Sequence, residues 1–166
     1  VFFTSAIQYV LVPSSVIKIN ESAFYGCHHL KTVAFAKNSN LNIIDKYAFS
    51  RSSIQKISIP QSVTHIFEYA FHYCNKLTRF SLVNNSKLNT IGKNAFSCSA
   101  ISSFLIPSQT FCLGQDAFAF CCSLLIVEIS ENSIFGSINL AVFRNSIVKL
   151  IMIPAKLKDF QLFGTN

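Results

Sequence analysis

Six cysteines, four histidines and seven carboxylates are the groups in this 166-residue chain that could do chemistry, as disulfides, metal ligands or catalytic acids and bases. Ligand-type side chains crowd together at two places, Cys27-His28-His29 and His72 with Cys74. Neither has the paired Cys-x-x-Cys or His-x-x-x-His spacing that aims several donors at one ion, so solvated turn histidines and no metal site are expected. Catalysis needs a nucleophile, a base and an orienting group within reach of one another. His65, the serines and the carboxylates fall at unrelated positions, and no glycine-rich phosphate loop or Gly-x-Ser-x-Gly turn occurs. The expectation is a protein with no catalytic residues and no cofactor.

Charge is the remaining chemical signal: 14 Lys and Arg against 7 Asp and Glu leave a net +7. The basic residues form no run, and Lys18, Lys37, Lys46, Lys76, Lys87 and Lys93 fall at expected turns. A solvated basic surface is the first reading of this pattern, and attraction to glycans or acidic surfaces the second. Nucleic acid is not expected as a partner, because the phenylalanines that could stack on bases are needed for a core.

The elements that position these groups are set by a repeat. All four prolines, Pro13, Pro60, Pro107 and Pro154, are 47 residues apart. Each closes a short strand-like run, at Val10–Val12, Ile57–Ile59, Phe104–Ile106 and Ile151–Ile153. A second marker, an aromatic after a small apolar residue, halves the unit at Phe2, Phe24, Phe49, Phe71, Phe96, Phe118 and Phe143, in steps of 22 and 25 residues. Five residues before each marker lies Ile19, Ile44, Ile66, Ile91, Leu113 or Ile138; eight before lies Val16, Leu41, Val63, Leu88, Thr110 or Phe135. The longer coils carry their own strands at Val33–Phe35, Phe80–Leu82 and Val127–Ile129, followed by polar turns at Asn38-Ser39, Asn85-Ser86 and Asn132-Ser133.

One such coil has too few apolar residues to bury a core, so neighbours must stack, and the expected fold is a solenoid of about six to seven coils with a parallel sheet on one face and turns or short helical pieces elsewhere. The alternation also keeps two prolines from ever neighbouring each other along the stack. At 51% hydrophobic residues the chain cannot be a disordered tail. Its longest apolar run, Ala117 to Cys122, is too short to cross a bilayer. Residues 1–166 are read as a single solenoid segment of a longer chain.

On this geometry Cys27, Cys74 and Cys121 occupy one column on alternate coils, roughly 9 to 10 Å apart, beyond the span of a disulfide. They are expected as small buried thiols. Cys98, on an intervening coil, could reach Cys74, Cys121 or Cys122, and Cys112 is left without a partner.

The motif apolar-x-apolar-Pro-x-x-Val-x-x-Ile-x-x-x-Ala-Phe-x-x-Cys-x-x-Leu, seen in Val10-Leu11-Val12-Pro13, Val16, Ile19, Ala23-Phe24, Cys27 and Leu30 and again through Ala70-Phe71 with Cys74 and Ala117-Phe118 with Cys121, resembles the BspA-like leucine-rich repeats. The resemblance covers about residues 1–160. It departs where glycine follows the Ile column only at Gly92 and Gly114, and where the last coil has no Ala-Phe pair after Leu157 and Phe160, marking an irregular terminal coil. It implies a cell-surface or secreted repeat protein of mucosal bacteria or parasitic protozoa, used in adhesion to host matrix proteins or other cells.

A solenoid's outward strand residues need not serve the core, and so are the candidates for binding proteins. They are Leu11, Ala34, Ser58, Ser81, Leu105, Glu128 and Met152 in the strand middles, with Tyr9, Thr32, Lys56, Arg79 and Ser103 just before the strands. Asn20-Glu21-Ser22 and Asn84-Asn85-Ser86 are sequons, which makes Asn20 and Asn84 candidate glycosylation sites. The expected function is a non-enzymatic protein-binding module of a cell-surface protein. The alternatives are a structural spacer and an intracellular interaction scaffold.

Overall fold

The computed structural model describes residues 5–134 and 136–164. The first coils contribute β1 (Tyr9–Val12), β2 (Lys18–Ile19), β3 (Thr32–Phe35), β4 (Ile43–Ile44), β5 (Lys56–Ile59) and β6 (His65–Ile66). Next come β7 (Arg79–Leu82), β8 (Thr90–Ile91), β9 (Ser103–Ile106) and β10 (Cys112–Leu113). The last are β11 (Ile126–Ile129), β12 (Ser137–Asn139), β13 (Leu150–Met152) and β14 (Gln161–Phe163). Among the described residues the only helical piece is a 3-10 turn at Leu140–Phe143, capped by Asn139, whose side chain accepts from the Ala141 N–H at 2.9 Å. The chain is a parallel-sheet solenoid of about seven turns.

The expected columns are the core. Phe24, Phe49, Phe71, Phe96, Phe118 and Phe143 are all buried and stack in sequence, with neighbouring ring centroids 5.2 to 5.7 Å apart. Ile19, Ile44, Ile66, Ile91 and Ile138 are buried beside them, with Leu113 partly so. Thr110, the polar residue in the neighbouring column, is fully buried without penalty, because its hydroxyl donates to the Leu88 carbonyl at 2.8 Å. Phe2 and Phe135 of these columns lie outside the described residues.

A wall of turns, not helices, carries the phenylalanine ladder. In the coils of Phe24, Phe49, Phe71, Phe96 and Phe118 the residues two before and two after the marker Phe take left-handed backbone, so that Tyr69 (φ 59°) and Tyr73 (φ 55°) flank Phe71, and Asn94 and Cys98 flank Phe96. In the coil of Phe143, which ends the 3-10 turn, only Asn145 takes left-handed backbone. That conformation costs a non-glycine residue roughly 1–2 kcal/mol. What it secures is a row of hydrogen bonds between coils: the N–H groups of Tyr69, Phe71 and Tyr73 donate to the carbonyls of Lys93, Ala95 and Ser97 at 2.7–3.0 Å. The same three-bond pattern joins the coils of Phe49 and Phe96 to the next.

The strand face differs from expectation in three respects. Each long strand starts one residue earlier, so Tyr9, Thr32, Lys56, Arg79 and Ser103 are strand residues. A second, narrower sheet, ordered β10-β8-β6-β4-β2, runs along the stack, with β12 paired to β14 beyond it. Lys18 lies in this sheet and not in a turn. Finally, the seven front strands form two ladders, β1-β3-β5-β7 and β9-β11-β13.

Proline accounts for much of the discontinuity. Where a long coil follows a proline coil, four residue pairs form, as in β1/β3, β5/β7 and β9/β11. There the residue after the strand donates backward, Ala36 to Val12, Val83 to Ile59 and Ser130 to Ile106. Where the incoming strand ends in proline that donor is missing; β3/β5 keeps two pairs and β11/β13 three. At β7/β9 the incoming Pro107 coincides with two phenylalanines, Phe80 and Phe104, at the inward strand position that is Val or Ile elsewhere. Their rings stack 5.5 Å apart and lean on Phe96, so three bulky rings crowd the inward space at this junction. We attribute the parting of the front sheet to these two causes acting at one junction.

Candidate functional site

Sequence-predicted face residues converge on a groove of about 990 Å³ along the first four front strands. Tyr9, Thr32, Ala34, Lys56, Ser58, Arg79 and Ser81 all line it. Parallel register is the reason: Tyr9 lies beside Thr32, Thr32 beside Lys56, and Lys56 beside Arg79, so one outward column runs across four coils. Ala34, Ser58 and Ser81 in the next outward column are small and keep the floor low. Leu11 stands on the same ladder, 56% exposed, outside the groove.

Beyond the parting of the sheet the remaining candidates are arranged differently. Ser103, Leu105 and Glu128 line a separate cleft of about 220 Å³ with Phe80, Leu82 and Phe104, and Ser81 borders both spaces. Met152 is exposed on the last front strand, in register with Glu128 and beside exposed Leu150.

Sequence reasoning missed the groove's side walls, which come from turns after the strands. Asn38, Ser39, Gln61, Ser62 and Lys87 contribute there. Ser62 ties two coils together by donating to the carbonyls of Ser39 and Leu41 at 2.9 and 2.6 Å. The available signal was the extra length of the longer coils, which falls in the Asn-Ser turns and must project beside the sheet.

The groove is electropositive. Its lining includes Lys56, Arg79 and Lys87 and no carboxylate. Among the described residues the ion pairs lie elsewhere: Lys18 to Asp45 at 2.7 Å, Lys46 to Glu68 at 3.5 Å and Arg144 to Asp116 at 2.6 Å. Asp45 is held below the usual carboxylate range; burial pushes it up, but hydrogen bonds from Lys18 and the Lys46 N–H, with the charge of both lysines, outweigh that.

The thiols behave as core. Cys74 and Cys121 are buried, and each donates to the carbonyl of the preceding marker, Phe49 and Phe96, at 3.1 Å. Burial pushes Cys74 up to about 12 and Cys121 up to about 11, so neither is a thiolate at neutral pH. Cys27 is buried in the same column and shifted upward by the same cause. Cys98 and Cys122 come close enough to Cys121 to oppose its ionisation, yet all three are free thiols, and Cys112 is an exposed one.

His28 and His29 are exposed in a turn, but His72 is not the solvated histidine expected. It is half-buried, edge-on to Tyr69 and Tyr73 at 5.2 and 4.5 Å, and desolvation followed by the charge of Arg51 lowers its pKa. His65 Nδ1 lies 2.7 Å from the Thr64 hydroxyl, which also bonds Asn42. Among the described residues no group of three or more His, Cys, Asp or Glu converges as metal ligands would, and no helix is long and apolar enough to cross a membrane. Asn20 and Asn84 are both exposed.

Comparison with known proteins places this geometry among relatives. A family profile described as BspA type leucine rich repeat region matches six copies, over residues 1–124 and 83–163. The pneumococcal vaccine antigen PcpA is 31% identical, with a TM-score of 0.73, over 75% of this chain and 31% of that one. A leucine-rich repeat protein of T. pallidum is 24% identical, with a TM-score of 0.79, over 96% of this chain and 74% of that one. One from Bacteroides ovatus is 22% identical, with a TM-score of 0.68, over 89% of this chain and 46% of that one. The chain thus spans about a third of the length of the PcpA chain and under half of the Bacteroides one. No curated protein matches the chain.

Proposed function

Because the chain belongs to the BspA-type leucine-rich repeat family, we propose that it is a non-enzymatic recognition module of a cell-surface protein, docking proteins of a host or neighbouring cell, matrix proteins among them, on the outward face of its front strands. The observation that carries this reading is the groove of about 990 Å³, lined by outward residues that the core does not use. The inward columns are fixed by packing, whereas Tyr9, Lys56, Ser58, Arg79 and Ser81 are exposed and free to be shaped by a ligand. Similarity to a pneumococcal vaccine antigen supports an outward-facing location.

The test is binding of the purified, folded protein to immobilised matrix proteins and to host-cell surfaces, beside variants that block the front face. Ser58→Arg and Leu105→Arg place a large cation on either side of the sheet's parting, and Lys93→Ala, in a turn, serves as control. Saturable binding lost in a front-face variant and kept in the control is the expected result. Binding equal in all variants, or none at all, would leave the coils as a spacer.

A further inference from the structure

We propose that the groove over β1, β3, β5 and β7 takes an extended acidic segment of a partner protein, whose carboxylates pair with Lys56, Arg79 and Lys87. This inference rests on the reading of the front face as the binding surface and adds the chemistry of what binds. Three observations carry it. The lining holds three cations and no carboxylate. None of the three takes part in an ion pair among the described residues, whereas Lys18, Lys46 and Arg144 each have an acidic neighbour. Lys56 and Arg79 are direct register neighbours on adjacent strands, so like charges stand side by side in an arrangement that a bound anion would relieve.

The rest of the lining fits a peptide main chain. Ala34, Ser58 and Ser81 allow close approach to the floor, and the hydroxyls and amides of Thr32, Ser39 and Gln61 offer donors and acceptors for peptide groups. Four strands spaced about 4.8 Å apart span roughly 14 Å, the length of an extended segment of about four to five residues. Two or three carboxylates fit in that length, matching the three cations. The Arg79 guanidinium can take one of them bidentately.

The experiment uses a fluorescein-labelled peptide of about eight residues in which Asp and Glu alternate with Gly and Ser, its Asn/Gln isostere, and a sulfated heparin oligosaccharide. Each is titrated against the unaltered protein, against Lys56→Ser/Arg79→Ser, and against Lys149→Ser/Lys156→Ser, which removes the same charge from the other end of the chain. The expected result is saturable binding of the acidic peptide, weakened about tenfold or more by the isostere change and by the groove variant, and within about twofold in the distal variant. The proposal is overturned if the isostere binds as well as the acidic peptide, if the distal variant loses as much as the groove variant, or if the oligosaccharide occupies the groove and the peptide does not. The two readings separate cleanly. Matrix or cell binding lost in Leu105→Arg but kept in Lys56→Ser/Arg79→Ser would retain the front face and sink the acidic segment, while binding indifferent to every front-face variant would sink the front face itself.

Discussion

The two ladders of the front sheet share one core and differ in what they offer outward. Under β1-β3-β5-β7 and under β9-β11-β13 the same phenylalanine stack continues, Phe49 to Phe71 on one side and Phe96 to Phe118 on the other. Outward, the first ladder presents Lys56, Arg79 and small hydroxyls around a groove; the second presents Leu105 and the single acid Glu128 at a smaller cleft, with Leu150 and Met152 exposed beyond it. Packing dictates the inward face of every coil, and nothing but solvent or a ligand dictates the outward one. The chain therefore varies outward while repeating inward.

If the core is one body despite the parted sheet, equivalent cuts on either side should cost the same and melt everything together. Phe71→Ala and Phe118→Ala each delete a fully buried ring and should each cost roughly 3 to 5 kcal/mol. Phe80, Phe96 and Phe104 bridge the junction through mutual ring contacts, so each variant should show a single unfolding transition by circular dichroism, shifted to lower denaturant. Two resolved transitions, with only one moved by each mutation, would instead make the ladders separate folding units. Phe120 is the internal control: it is two residues from Phe118 but 46% exposed, and truncating it should cost under about 1 kcal/mol.

A smaller effect is expected at the second sheet, which crosses beneath the junction without interruption. The glycines that follow its Ile column, Gly92 and Gly114, sit against neighbouring backbone. A Cβ at Gly92 would come within 2.6 Å of the Glu68 nitrogen, and one at Gly114 within 2.4 Å of the Lys93 nitrogen. Gly114→Ala should therefore cost about 1–3 kcal/mol and lower protection of the β8 and β10 amides, which lie on either side of the parting, against hydrogen exchange. An unchanged unfolding midpoint would show that the second sheet is slack enough not to tie the ladders together.

How much of this was legible beforehand follows from the same division. Pro13, Pro60, Pro107 and Pro154, the marker phenylalanines and the Ile column are readable because burial allows few residue types, so periodic identity reveals periodic structure. The parting of the sheet was not readable strand by strand. Phe80-Ser81-Leu82 and Phe104-Leu105-Ile106 are each good strand sequences, and the conflict arises only when two aromatics meet across a junction that also lacks the Pro107 donor. The second sheet hides for another reason: two-residue strands such as Thr90–Ile91 are too short to show alternation. Left-handed Tyr47, Arg51 and Cys98 are invisible because glycine, the usual sequence mark of that backbone, is absent there, and these residues accept the strain in exchange for hydrogen bonds between coils. The outward candidates were found by position alone, and their grouping into a groove needed the register and the turns.

Acid should sharpen the contrast between the ladders, because the two groups with lowered pKa lie on one side. Asp45, with its lowered pKa, and His72, also lowered, both belong to coils under the first ladder. For each, the unfolded chain binds a proton at a pH where the folded site still resists it, so stability is full above the unfolded pKa and declines as pH falls toward the folded one. The His72 contribution should start to fade below about pH 6.5 and the Asp45 contribution below about pH 4. Hydrogen exchange followed from pH 7 downward, corrected for intrinsic rates, should thus lose protection first in the coils of β2 to β7 and later around β9 to β13. His72→Gln should remove the upper step and Asp45→Asn the lower one, the first by deleting the titrating group and the second at the expense of the Lys18 contact. Simultaneous loss across both ladders would mean that the core transmits local protonation to the whole stack, and the difference between the two regions would then lie in their surfaces alone.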